Sequence, residues 1–136
     1  MKPILMDTNG WIAINSKRDQ LHAAAVTTNQ QLLKAGYRYL TTNFVLDETY
    51  TGLVMHIGHA AAVDFGERLR RTKTVSIVHI SPEIEESAWK LFKQYADKRF
   101  SFTDCTSFVV MQQLQLTDAF TSAHHFEQMG FRLLLK

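Results

Sequence analysis

The chain has 136 residues, 46% of them apolar, and a formal net charge of +2. That is one domain's worth of chain with enough apolar side chains for a real core. No apolar run approaches a membrane span, the N-terminus lacks the apolar stretch of a signal peptide, and the single cysteine, Cys105, excludes an internal disulfide and fits a reducing cytoplasm.

Ile4, Leu5 and Met6 form an apolar run too short for a helix, which reads as a buried strand. Asp7 ends that run and Thr8-Asn9-Gly10 breaks it. An acid at the C-terminal end of a first strand is where an open α/β sheet places its ligand chemistry; Asp is also a common strand-ending turn residue. Trp11 to Ile14 reads as a short helical turn, and Asn15 to Asp19 as a polar loop. Leu21, Ala25, Thr28 and Leu32 recur at helical spacing and predict a helix over Gln20 to Lys34, stopped by Gly36. Tyr37 to Leu40 is a second strand. Thr42 or Asn43 caps a third helix to about Ile57. Gly58 separates it from a fourth, His59 to Arg71, with Ala62, Phe65 and Leu69 on one face.

Val75 to Ile80 is a third strand. Ser81-Pro82-Glu83 combines a cap, a proline at the first helical position and an acid in the first turn, which is a strong helix start. The helix it opens puts Ile84, Ala88, Leu91, Phe92 and Tyr95 on one face. Asp97 to Phe102 is a loop, and Ser101 or Thr103 opens a sixth helix to about Gln115. Ala119 to Ser122 is a fourth strand, His124 to Met129 a short helix ended by Gly130, and Phe131 to Leu135 a last strand. With no repeat, low-complexity tract or linker, residues 1–136 read as a single domain. Alternating strands and helices imply a three-layer α/β/α sandwich, with a mostly parallel sheet of four or five strands covered on both faces.

Asp104 sits at a predicted helix start, and Phe108 and Met111 continue its face as an apolar stripe. It is either a functional carboxylate or an acid complementing the helix dipole. Asp47-Glu48 is ambiguous: Leu46, Tyr50, Leu53, Val54 and Ile57 share a face, and Glu48 points nearly opposite, to a cleft or to solvent. His124 and His125 are neighbours on a helix and point apart, and no third ligand stands at zinc spacing. Cys105 has no evident base and reads as a structural thiol. Arg68, Arg70, Arg71 and Lys73 form a basic run at a helix end, which suits either RNA phosphates or the helix dipole. No Gly-rich phosphate loop is present.

Four stretches taken together resemble a known family. They are Met6-Asp7-Thr8-Asn9; Thr41 to Thr49; Phe102-Thr103-Asp104-Cys105 onward to Met111; and Leu116 to Thr121 with His125 to Phe131. In this order and spacing the chain resembles a PIN domain of the stand-alone prokaryotic kind, similar to the VapC-type toxins of toxin–antitoxin pairs. The resemblance implies a PIN-like sandwich and a Mg²⁺- or Mn²⁺-dependent endoribonuclease whose products carry a 3′-hydroxyl and a 5′-phosphate. It matches the metal-holding acids to Asp7, Glu48 and Asp104, choosing Glu48 over Asp47, with Thr8, Asn9 and Thr121 orienting them. It also implies a cognate VapB-like antitoxin and a homodimer. A hard divalent cation wants oxygen ligands, which suits three acids, and carboxylates crowded together raise one another's pKa.

The chain departs from the family at one place. Relatives read Thr-x-Asp-x-His-Phe where this sequence has Thr121-Ser122-Ala123-His124-His125-Phe126, so the fourth acid falls on Ala123. Asp118 is no substitute, because five strand residues span roughly 17 Å. Either the chain is a weakened or inactive member, or the alanine is a disarming substitution. Two rivals follow: a degenerate PIN domain that binds RNA or protein without cutting, and a phosphatase using Asp7, whose usual second Asp is replaced by Asn9.

Overall fold

The computed structural model describes residues 1–135. Twelve elements follow one another: β1 (Ile4–Met6), α1 (Thr8–Asn15), α2 (His22–Lys34), β2 (Tyr39–Thr42), α3 (Asn43–His56), α4 (His59–Arg71), β3 (Val75–Val78), α5 (Pro82–Gln94), α6 (Phe102–Leu114), β4 (Asp118–Phe120), α7 (His124–Gln128) and β5 (Arg132–Leu133). The five strands form one sheet in the order β3-β2-β1-β4-β5, and every pairing is parallel. Parallel pairing requires a crossover between successive strands, and the helices supply it.

Side-chain alternation along β1 divides the core. Ile4 and Met6 face a cluster built with Trp11, Ala25, Val45, Leu53 and Phe65, under α1 to α4. Leu5 faces the other cluster, with Ala88, Phe108, Met111 and Phe126, under α5 to α7. Both faces of β1 are therefore covered, which is why its sequence is a continuous apolar run. Phe108 anchors the second cluster, meeting Phe100 and Phe126 edge to face at centroid distances of 5.1 and 5.0 Å. Truncating so central a ring to alanine costs about 3–5 kcal/mol.

Local chemistry settles the helix starts that sequence leaves open. Thr42 caps α3, its side chain accepting from the Val45 amide at 3.0 Å. Ser101 caps α6 in a reciprocal box with Asp104, so Phe102 is helical and not part of the preceding loop. The first helix begins at Thr8, a turn earlier than apolar spacing predicts, because the Asp7 carbonyl already accepts from the amides of Gly10 and Trp11, each at 3.1 Å. The strand at Asp118–Phe120 ends before Thr121 and Ser122, whose polar atoms are used elsewhere. Phe92, expected on the inward face of α5, is 40% exposed; α5 buries a narrow stripe centred on Ala88, and Phe92 lies at its rim, stacked on Trp89.

Gly10 has no room for a side chain. A Cβ there would overlap the carbonyl oxygen of Phe120 and come within 2.8 Å of the Met6 sulfur. The start of α1 thereby lies directly on β4. A buried relay locks the same region: Trp11 Nε1 donates to Thr41 Oγ1 at 3.3 Å, and Thr41 donates to the Met6 carbonyl at 3.0 Å.

Candidate active site

The strand order reverses at β1: the chain runs outward through β2 and β3 on one side and returns to β4 on the other. In an open parallel sheet the crevice beyond the carboxyl ends of the strands at such a switch point is where ligands bind. Asp7 stands there, immediately after β1, and is 6% exposed. It is the N-cap of α1, yet its side chain makes no cap hydrogen bond. An N-cap aspartate normally spends its carboxylate on the helix amides; this one is left for other work.

Thr121, beyond the end of β4, turns its hydroxyl to Asp7 Oδ2 at 3.0 Å and Asn9 Oδ1 at 2.7 Å, and accepts from the Ala123 amide at 3.1 Å. Asn9 Oδ1 also accepts from the Ser122 amide at 3.3 Å. The loop after β4 is thus tied to the loop after β1. From the other side, Thr8 Oγ1 lies 3.4 Å from Glu48 Oε1, on α3, and 3.3 Å from the Val45 carbonyl. The packing of α3 on α6 adds the ring pair Phe44–Phe102, at 6.3 Å, beside Glu48 and Asp104. Asp104 Oδ2 accepts from the Ser101 amide and faces His125 Nδ1, each at 3.0 Å. Asp104 is therefore a helix-capping acid, as its place at a helix start implies, and its charge also acts on Asp7 and Glu48.

The charges of Asp104 and Glu48 both act on Asp7, and that of Asp104 also acts on Glu48. Asp7 is pushed up to about 7, first by burial and next by the negative charge of Asp104; the Thr8 amide and Thr121 pull it back, and Glu48 adds to the rise. Glu48 is also raised, mainly by burial of its carboxylate and further by the charges of Asp104 and Asp47, with hydrogen bonding pulling it back, although the residue as a whole is exposed. Neighbouring like charges raise carboxylates in this way. Among the described residues no three His, Cys, Asp or Glu side chains stand in a finished metal-ligand arrangement. The donor set nonetheless fits a hard divalent cation: it is all oxygen, and Asp7 and Glu48 have no cationic side chain paired with them among the described residues.

Ala123 lies at this edge, two residues past Thr121 and at the N-cap of α7, where it provides no side-chain cap. Its methyl group packs against the apolar cluster under α5 to α7. The basic run is elsewhere. Arg68, Arg70, Arg71 and Lys73 sit at or beyond the C-terminal end of α4, beside the start of β3, which is the opposite edge of the sheet. Arg68 is held by Asp64 and Asn15 at 2.9 and 2.8 Å, and Arg70 by the Gly66 carbonyl at 2.9 Å. Asp118 is on that far edge too, paired with Arg132 at 2.7 Å. Cys105 is buried, and burial followed by the charge of Asp104 raises its thiol to about 11, as befits a structural residue. His124 pairs with Glu127, at 3.4 Å, and points away from His125. Sequence reasoning missed the engagement of Asp104 by His125; the one available signal was the histidine in the family's His-Phe pair.

Comparisons with known proteins identify the family. A family model described as the PIN domain matches residues 4–132. The chain is 31% identical over 128 residues to the 23S rRNA-specific endonuclease VapC20 of Mycobacterium tuberculosis, covering 94% of this chain and 95% of that protein. The crystal structure of VapC20, a sarcin-ricin loop cleaving toxin, superposes with a TM-score of 0.84 over 94% of this chain and 95% of that one. A VapC ribonuclease of Archaeoglobus fulgidus is 30% identical over 114 residues, 82% of this chain and 72% of its own. VapBC2 from Rickettsia felis, solved with a DNA fragment from their promoter, shares the fold alone, at TM-score 0.70 and 13% identity over 97% of both chains.

Proposed function

The chain belongs to the PIN-domain family, and from that premise we propose that it is an endoribonuclease of the VapC type, with Asp7, Glu48 and Asp104 as its metal-holding acids. The single observation that carries the reading is the raised pKa of Asp7, produced by burial and by two further acids at a sheet's switch point. Structured ribosomal RNA, beginning with 23S rRNA and its sarcin-ricin loop, is the substrate to try first, given the relationship to VapC20.

Mg²⁺ or Mn²⁺ bound by these acids would offset charge on the phosphodiester and lower the pKa of a water. The chain's own residues do the positioning. Thr121 fixes Oδ2 of Asp7, Thr8 meets Oε1 of Glu48, and the Ser101 amide with His125 holds Oδ2 of Asp104. Orienting groups of this kind commonly decide the affinity of a carboxylate site. The products carry a 3′-hydroxyl and a 5′-phosphate. Any phosphate met by the basic run on α4 lies well away from the one that is cut.

A small VapB-like antitoxin is the protein partner in this reading, and the protein is a homodimer within the cytoplasm. Val54, Met55 and Ile57 at the end of α3 are 42%, 78% and 43% exposed, an apolar patch that a second copy would cover. The phosphatase reading has no support in the geometry: Asp7 is buried among acids, and Asn9 is bound to Thr121.

Ala123 favours a second reading, a domain that binds RNA and cuts it poorly. The test compares the natural chain with Ala123→Asp on a structured RNA panel in Mg²⁺ and Mn²⁺. Ala123→Asp is expected to raise cleavage, by up to about 100-fold, because a carboxylate there adds a ligand or water-orienting acceptor and misplacement costs on that scale. Equal, robust cleavage by both proteins would show that three acids suffice. RNA binding without cleavage by either protein would overturn the nuclease reading in favour of the binding domain.

A further inference from the structure

The two helices that carry Glu48 and Asp104 each hold a phenylalanine in the first turn. Phe44 is one helical turn before Glu48, and Phe102 is two residues before Asp104. Their rings lie 6.3 Å apart, tilted by 48°. With Asn43, Asp47 and Thr103 they line an open cavity of about 440 Å³. Asp47 and Thr103 directly precede Glu48 and Asp104 in the chain, so the cavity adjoins the two acids. From Phe102 the aromatic row continues along α5: Phe92 meets Phe102 edge-on at 6.0 Å, and Trp89 stacks on Phe92 at 5.8 Å. Trp89 and Phe92 are 46% and 40% exposed.

We propose that this row is a stacking platform for unpaired nucleobases of the RNA, with the Phe44–Phe102 cavity taking a base next to the scissile phosphate. The proposal rests on the ribonuclease reading and deepens it. Sequence-specific RNA recognition works largely on splayed, single-stranded bases stacked on aromatic rings, and exposed rings leading away from an acidic centre offer that surface. The occupant of the cavity is a base and not a phosphate, because Asp47 at its wall repels anions while its carboxylate accepts from base N–H groups. Asn43 already spends Oδ1 on the Ile80 amide, at 2.8 Å, which leaves its amino group to donate to a base carbonyl or ring nitrogen. Lys90 and Lys93, exposed and each next in sequence to a platform ring, suit the backbone phosphates between stacked bases. Glu85 and Glu86, a turn earlier on α5, mark where the platform ends.

The experiment uses the natural chain in EDTA, so that binding is read without cleavage. Fluorescence anisotropy measures its affinity for a hairpin with a single-stranded loop and for a fully paired duplex of matching length. Trp89→Leu and Phe92→Leu test the exposed rings, and Phe102→Leu with Phe102→Tyr tests the ring at the cavity. Each loss of a ring is expected to weaken loop binding by about 5- to 150-fold and leave duplex binding unchanged. The slope of log affinity on log salt should stay the same, since stacking releases no counterions. Phe102→Tyr restores binding. Should Phe102→Leu fail to fold, Trp89→Leu, at a surface position, decides the matter alone. Undiminished loop binding by the variants, or equal losses on loop and duplex, overturns the platform while leaving the nuclease assignment intact. If the natural chain binds neither RNA, the nuclease reading falls and takes the platform with it. If Trp89→Leu dissociates an oligomer in sedimentation equilibrium, the face belongs to a second copy of the chain and the platform is refuted.

Discussion

At the N-terminal edge of the sheet, Asp118 takes two hydrogen bonds from Arg132, at 3.1 and 2.7 Å, and Arg68 is shared between Asp64 and Asn15. Tyr39, buried there, donates to Asn29 at 2.6 Å. At the C-terminal edge Asp7, Glu48 and Asp104 face one another, steadied by hydroxyls, an amide and one imidazole, and two of them are raised in pKa. The first edge is arranged as a folded chain arranges charge for its own sake, in opposite pairs. The second brings like charges near one another, which costs stability and suits the cation site of the proposed function.

The largest test of that contrast is Asp7→Asn, which keeps the shape and the Thr121 contact but removes the charge. Cleavage of RNA should fall by at least about 100-fold, measured as the single-turnover rate in Mn²⁺. A variant that cuts as well as the natural chain would place the chemistry elsewhere and end the contrast.

A second test concerns pH. In EDTA, Asp7 holds its proton up to about pH 7 in the folded chain, against an ordinary value of 3.8. Between those values the folded form carries a proton that the unfolded chain has lost, so stability must fall as pH rises. The contribution is complete below about pH 4 and gone above about pH 7, and three pH units correspond to on the order of 4 kcal/mol. Glu48 is shifted in the same direction. Urea unfolding across this range should show the decline, and Asp7→Asn should flatten most of it. A natural chain whose stability climbs from pH 4 to 8 would mean that the acids are not mutually strained.

A cation should reverse the penalty. At pH 8, Mn²⁺ at about 100 times its Kd should stabilise the fold by about 2.7 kcal/mol, seen as a higher melting temperature, and the effect should be lost in Asp7→Asn. The smallest effect belongs to the other edge. Asp118→Asn weakens a two-pronged pair whose arginine is largely exposed and whose contribution is therefore modest, so cleavage should be unchanged and the melting temperature lowered by a few degrees. A large loss of activity there would erase the distinction between the edges.

Much of this was legible in the sequence because local rules and tertiary demands agree. The run Ile4 to Met6, the Ser81-Pro82 start and the glycine after the third helix each predict an element the structure contains. Asp7 is legible because a strand end at a switch point is a fixed address in such folds. Glu48 is not, since helical periodicity sends it away from the core and its tie to Thr8, 40 positions earlier, is a tertiary contact. Phe92 was misplaced for the same reason: its spacing matches the buried face of α5, but the narrow stripe at Ala88 leaves it outside. The engagement of His125 with Asp104 joins residues 21 positions apart, and no local pattern encodes it.

Gly10 gives the molecule a hereditary weak point. Every missense change at its codon introduces a Cβ, and any Cβ meets the Phe120 carbonyl and the Met6 sulfur, levering α1 away from β4 and separating the loop of Asp7 from the loop of Thr121. A lineage burdened by the chain's activity could therefore silence it without touching a single acid. Such a lineage would look intact to anyone who checks only the carboxylates.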